Sequence, residues 1–281
     1  MSRQARLAVP SGGRLRDGCL TLLAGAGYAT GMLHGAGSIA AIDGLEFIEM
    51  RPRDAAAALA AGQLDAAFLA TDIVAEHDLA DLPALPLGFS RSELVVASRD
   101  DDGRHDAGDL HGAVVATHMP RLTERFFARK GIDVTVVAMG GALEGVCAAG
   151  LADAIVDLRE TGTSLMTNRL RVLEVVARCE ALFVRRRDTA ALDGLTLRLE
   201  AVLTARRHRY VMLHLPRERL ETLRRMFPGL ESPTVLPLAG REDLVAVHFV
   251  VAQGELWSRL GDLRVLGATG IVALELQALL A

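Results

Sequence analysis

Residues 150–170 read GLADAIVDLRETGTSLMTNRL. The short apolar run ADAIVDL has the length and branched-residue content of a buried strand, and it carries Asp157 near its end. A polar turn follows, and Thr161-Gly162-Thr163-Ser164 opens the next helix. Strand, turn and helix in that order form one unit of an α/β layer. Such a turn can cradle a phosphate: glycine admits close backbone approach, successive N–H groups point outward, hydroxyls add donors, and a helix N-terminus is partially positive. Asp157, with Glu144 upstream, is suited to accept bonds from sugar hydroxyls or to hold a magnesium ion through water. The same residues also fit an ordinary helix N-cap made by Thr161 or Thr163.

Outward from this stretch the grammar repeats. RLAVP, a helix over about 14–24, LEFIEM, a helix over about 54–61 and DAAFLA give one α/β unit with a mostly parallel sheet. ELVVAS, AVVAT, a helix over about 122–130, VTVVAM and ADAIVDL give a second unit from Ser92. LPLGFSRS lies between them with Pro86 and Gly88, and the acidic stretch 100–109 reads as an exposed loop. Two similar lobes with a cleft between them are a natural ligand site. From Tyr210 the order is strand, helix, strand, strand, helix, strand, the ferredoxin-like βαββαβ pattern. Its apolar stripes predict Leu220, Leu223, Val245, Val247, Phe249, Val251, Trp257, Leu260 and Leu263 as core.

Composition removes several classes. At 281 residues, 51% hydrophobic and 23% charged, the chain is too apolar for disorder and too interrupted by charge for a multi-span membrane protein. A net charge of -4 provides no general field for nucleic acid or anionic lipid, and the arginine runs 185–187 and 206–209 lack interleaved aromatics and read as solvated faces or salt bridges. Residues 18–42 carry no acidic or basic charge, but six glycines and several polar residues break the run, so it reads as one short helix, with Cys19, Leu20, Leu22 and Leu23 on its buried face, and not as a membrane span. Cys19, Cys147 and Cys179 have no CxxC spacing, and the amino-terminal apolar run stops at Pro10, too short for a signal-peptide core; both point to the cytoplasm. The eight histidines lack metal-ligand spacing, so His118 and His248 read as packed or solvent-facing. No Walker-type, GxSxG or HExxH motif is present.

GLADAIVDLRETGTSL, together with VATHMPRLTERFFARKGIDV at 115–134, LPLGFSRSELVVA at 85–97, MRPRD at 50–54, GLESPTVLPL at 229–238 and LVAVHFVV at 244–251, resembles the long form of ATP phosphoribosyltransferase over nearly the whole chain. The resemblance implies two periplasmic-binding-protein-like (type II) lobes, residues 1–91 with about 178–207 and residues 92–177, then an ACT-like regulatory domain at 208–281. It also implies a homo-oligomer, either dimer or hexamer. In that family magnesium-bound phosphoribosyl pyrophosphate (PRPP) meets ATP, adenine N1 attacks the anomeric carbon and pyrophosphate leaves, opening histidine biosynthesis.

Residue by residue, the resemblance assigns Thr161, Gly162, Thr163 and Ser164 to the 5-phosphate, and Asp157 and Glu144 to the ribose, with Asp157 reaching magnesium indirectly. Arg51, Arg53, Asp54, Asp72 and Arg91 border the nucleotide side. Where the family has Asn-Lys-Gly this chain has Ser11-Gly12-Gly13, so a cation near the phosphates is missing, a loss on the order of a hundredfold in rate when it removes a contact to developing charge. Arg14 or Arg16 is the nearest replacement. The family's Gly-Ile-Thr-Gly-x-Asp stretch has become Phe68-Leu69-Ala70-Thr71-Asp72, reshaping the acceptor pocket. A different nitrogen heterocycle as acceptor, or a binding role without turnover, are the alternatives these departures motivate. In the last domain, His214 and Leu236 stand where histidine-sensing members carry an aspartate and a serine; loss of such partners weakens binding of a buried ammonium ligand by about 2–5 kcal/mol.

Overall fold

The first strand pairs with two others in parallel, and each crossover carries a helix over the sheet. In the computed structural model, which describes residues 4–35 and 37–280, the chain begins with β1 (Ala5–Pro10), α1 (Gly13–Gly25), β2 (Ile39–Ile42), β3 (Leu45–Met50), α2 (Pro52–Ala60), β4 (Ala66–Ala70), α3 (Thr71–Glu76) and β5 (Ala84–Pro86). It continues through β6 (Ser92–Arg99), β7 (Val114–Thr117), α4 (Pro120–Lys130), β8 (Thr135–Ala138), α5 (Leu143–Ala148), β9 (Ala154–Arg159), α6 (Thr163–Thr167), β10 (Leu170–Cys179) and β11 (Ala181–Arg185). The first sheet runs β2-β3-β1-β4-β11-β5 and the second β10-β6-β9-β7-β8.

Both sheets are mixed, a correction to the mostly parallel expectation. Parallel pairing is confined to β1 with β3 and β4, and to β7 with β8 and β9; every other pairing is antiparallel. Parallel neighbours need a crossover connection, and α2 and α4 supply one; β10 and β11 instead follow one another through Glu180 into different sheets. The two passages between the sheets are tied together, Leu87 N donating to Ala181 O at 2.9 Å and Ala181 N to Phe89 O at 3.0 Å.

Apolar packing explains the layers. In the second sheet, Val115 and Val156 meet Phe126 and Phe127 of α4 on one face, while Ala116 and Ile155 meet Leu143, Cys147 and Leu165 on the other. Helices therefore cover both faces, as sheets with parallel strands require. The acidic stretch 100–109 is more ordered than a plain exposed loop: Asp102 is largely buried against Arg104, at 3.0 Å, and Asp106 caps a short 3-10 turn over 107–110 with Asp109 answering from the other end.

The chain divides into two compact units, one through Thr21 with Ala29–Asp193, the other Leu22–Tyr28 with Gly194 onward. The second contains most of α7 (Ala190–Arg207), then β12 (His208–Pro216), α8 (Leu220–Met226), β13 (Thr234–Leu238), β14 (Arg241–Ala252), α9 (Gln253–Val265) and β15 (Thr269–Glu275). Residues 194–207, expected with the first lobe, group with the second unit, where Arg198 lies over the Tyr28 ring and Leu279 N donates to Ala201 O at 3.0 Å. The sheet order β13-β14-β12-β15, all antiparallel, is the ferredoxin-like arrangement read from the sequence. Val245, Val247, Phe249 and Val251 are buried on one face as expected. Trp257 is not core: it is 60% exposed, because α9 turns Leu256 and Leu263 inward, with Leu260 partly buried between them, and Trp257 falls beside that stripe.

Candidate functional site

Three parallel strands of the second sheet end side by side. Thr117 is in register with Ala138 on one side and Val156 on the other, so the residues that follow, His118, Met139 and Asp157, form a row along the carboxyl edge. Open α/β sheets bind ligands outside that edge. Asp157 accepts a bond from Leu158 N at 2.7 Å. Burial pushes its carboxyl above the ordinary aspartate range; the Leu158 amide opposes this, Glu144 adds to it, and His118 opposes it.

The turn after β9 is built as a cradle. Gly162 takes a left-handed φ of 81° and stands at the N-cap of α6 with no side-chain cap bond, so neither Thr161 nor Thr163 acts as the capping residue. Their hydroxyls instead lie 3.1 Å from each other, and Ser164 Oγ donates to Glu144. Thr161, Gly162, Ser164 and Glu144 line a pocket of about 200 Å³. Thr161, Thr163 and Ser164 are exposed. The sequence-identified donor-side residues are thus brought together, with Asp157 in the adjacent strand.

A larger pocket of about 520 Å³ opens against the first lobe, lined by Gly12, Gly13, Arg14, Arg51, Asp72 and Met119 among others. Leu158 and Glu160 line this pocket and the small one alike, so the two share a wall. Asp72 is 2% exposed at the start of α3, and its Oδ1 has no hydrogen-bond partner among the described residues. Burial pushes its carboxyl up, opposed by the amides of residues 72 and 73 and by Arg53. An unpaired buried carboxylate oxygen is costly, about 1–3 kcal/mol or more, and such atoms call for a ligand or functional explanation.

Two expected residues stand apart from the larger pocket's lining. Ser11 gives its backbone N–H to Met50 O at 3.0 Å, and Arg91 is exposed on a separate pocket with Arg178 and Glu180. The two candidate replacement cations differ in their surroundings. Arg16 is held by Glu49, which is 1% exposed, at 2.7 Å and by Leu33 O at 3.1 Å, whereas Arg14 lies on the pocket in an exposed ion pair with Glu160.

Glu76, Asp78, Arg121 and Arg125, which the sequence did not single out, complete the cleft. Glu76 of α3 accepts from Arg121 N at 3.2 Å and Leu122 N at 2.9 Å, capping α4 of the other lobe, whose own N-cap Met119 has no capping side chain. Asp78 pairs with Arg121 at 3.3 Å and with Arg125, and Arg53 donates to His118 O. No sequence signal links residues 45 apart, although Pro120 after an apolar Met119 marked a helix start lacking a cap.

The family model for ATP phosphoribosyltransferase matches residues 51–207, and the model for that family's C-terminal domain matches residues 205–278. The ATP phosphoribosyltransferase of Maricaulis maris is 34% identical over the full length of both chains. That of Gemmatimonas aurantiaca is 36% identical, covering 98% of this chain and 99% of its own. Among solved structures, the ATP phosphoribosyl transferase (HisG:HisZ) complex from Thermotoga maritima matches 70% of this chain and 98% of its own, at 25% identity and a TM-score of 0.59. The fold, two mixed α/β sheets followed by an antiparallel domain, is that of a phosphoribosyl-group transferase. The chain belongs to the ATP phosphoribosyltransferase family, in the long form that carries the extra C-terminal domain and catalyses the first step of histidine biosynthesis.

Proposed function

We propose that this chain transfers the 5-phosphoribosyl group of PRPP to N1 of ATP and releases pyrophosphate. The observation that supports the reading is that Leu158 and Glu160 line both the pocket of the phosphate turn and the larger pocket, so that the two adjoin and a donor held at one meets an acceptor held at the other. The ring nitrogen's lone pair forms the bond to C1 as the bond from C1 to the pyrophosphate oxygen breaks, through an oxocarbenium-like state. The protein needs no nucleophile of its own; it holds two substrates in line and stabilises the departing charge.

In this reading the Thr161–Ser164 turn holds the 5-phosphate. When Ser164 turns its hydroxyl to a phosphate oxygen it releases Glu144, which then accepts from a ribose hydroxyl beside Asp157. Asp72 accepts from the acceptor's exocyclic amine, satisfying its unpaired Oδ1. Arg14 exchanges Glu160 for the leaving pyrophosphate. Asp157, at the carboxyl edge beside the phosphate turn, is the residue that would hold a magnesium ion brought by PRPP, through water. The ion supplies charge neutralisation to the leaving group.

We assign the functional division as residues 1–91 with about 178–207, residues 92–177 carrying the PRPP turn, and an ACT-like regulatory domain at 208–281, although residues 194–207 pack with the last domain. The setting is the cytoplasm; no helix among the described residues is long and apolar enough to cross a membrane. Self-association as a dimer or hexamer is expected, with no role for nucleic acid. His214 and Leu236 are exposed, in place of polar partners that would hold histidine, so feedback by histidine is lost. A second reading, transfer to a different nitrogen heterocycle, is favoured by Gly12, which leaves the larger pocket without the family's lysine.

Incubating the protein with PRPP, magnesium and ATP, with pyrophosphatase present, tests the reading by mass spectrometry. Phosphoribosyl-ATP above background is expected. PRPP consumption only with another heterocycle moves the assignment to the second reading, and no consumption with any acceptor overturns both.

A further inference from the structure

His118 ends the central parallel strand of the second sheet, between Met139 and Asp157. Its Nδ1 lies 2.6 Å from Met139 O. A carbonyl oxygen only accepts, so Nδ1 carries the hydrogen, and in the neutral ring the lone pair is on Nε2. Nε2 has no hydrogen-bond partner among the described residues. The ring is half-buried and lines a pocket of about 530 Å³ whose other members include Arg53 and Asp54, both of which also line the larger pocket assigned to the acceptor. A base with a fixed tautomer therefore stands between the acceptor pocket and the ribose carboxylates.

We propose that His118 is the proton acceptor of the transfer reaction, an inference that rests on the proposed function. When the ring nitrogen bonds to C1 and pyrophosphate leaves, the acceptor ring becomes cationic. Its exocyclic N–H then gives its proton to Nε2, the N–H electron pair returns to the ring to neutralise it, and His118 becomes an imidazolium near Asp157. Asp157 on β9 and, from the shared pocket, Asp54 on α2 and Glu76 at the end of α3 favour the cation, while Arg53, which donates to the His118 carbonyl, opposes it; His77 lines the same pocket. The imidazolium passes its proton to water as product leaves.

His118→Asn is the test, because an asparagine amide reproduces the donor to Met139 O but has nothing at the Nε2 position. With the acceptor that the wild-type enzyme turns over, kcat is expected to fall about a hundredfold, the usual worth of a general base at the lower end. PRPP affinity by calorimetry stays within about twofold. Added imidazole restores part of the rate to His118→Ala, which a merely structural role does not allow. A His118→Asn enzyme that keeps its kcat within about threefold, or a His118→Ala enzyme that imidazole does not rescue, overturns the assignment while leaving the proposed function standing. Absence of turnover in the wild type with every acceptor overturns the proposed function and this inference together.

Discussion

The two walls of the cleft are assembled in opposite ways. The wall proposed for the donor comes from one lobe and one short stretch, Glu144 to Ser164, whose polar groups already bond to one another through Ser164–Glu144 and Thr161–Thr163. The wall proposed for the acceptor gathers Gly12 to Arg14, Arg51 to Asp54, Asp72 and Met119 from distant segments, and leaves a buried carboxylate oxygen without a partner among the described residues. Two of the departures from the family pattern, Gly12 and Ala70, fall on this second wall. A local turn keeps its chemistry as a unit, whereas a wall pieced together from separate segments can change one contact at a time.

Substitution at Asp72 breaks the comparison most strongly. Asp72→Asn should lower kcat/KM for the acceptor about 10- to 100-fold, the worth of a charged hydrogen bond at 1.5–3 kcal/mol, with PRPP binding unchanged. Equal loss of PRPP binding would mean that the walls are not separate. Next in size, Gly12→Lys should raise turnover with ATP about tenfold. Gly12 has no positive φ and a Cβ there meets nothing within 4 Å, so the side chain fits. No gain would show that Arg14 already does that work or that ATP is not the acceptor.

A smaller effect comes from stability. Burial raises the folded-state titration of Asp72 above its unfolded value, so its stabilising contribution is full below the unfolded range near pH 4 and is lost as pH rises through the folded one. Wherever the folded-state carboxyl is ionised, burying Asp72 is therefore a net cost. Asp72→Asn should unfold at a higher temperature than wild type above that range, by about 1 kcal/mol in stability, with the gap narrowing as pH falls toward about 4 and constant below it. A gap independent of pH would detach the effect from the carboxyl charge.

The donor wall was legible because its signals are consecutive: a strand, an acid, a glycine turn and hydroxyls within twenty residues. The alternation that gave two lobes and the βαββαβ order of the last domain was legible for the same reason. β10 and β11 were not, since the run LRVLEVVARCEALFVRRR mixes charge into its apolar residues and β10 carries two register shifts against β6. Trp257 misled because an aromatic residue next to a helical stripe satisfies a periodicity count by proximity alone. His118 read as a packed or solvent-facing side chain; only the register of β7 with β8 and β9 puts it in line with Asp157 and Met139. The pairing of Arg16 with Glu49 spans 33 residues and has no sequence signature.

The central claim is that the Thr161–Ser164 turn is the PRPP wall and works independently of the acceptor. Calorimetric titration of magnesium PRPP into the wild type and into Thr163→Ala/Ser164→Ala, without any acceptor, tests it most directly. The account predicts binding to the wild type and at least a tenfold weaker Kd for the double variant, with far-UV and near-UV circular dichroism unchanged. Equal affinity in both proteins would contradict it and remove the turn from the site.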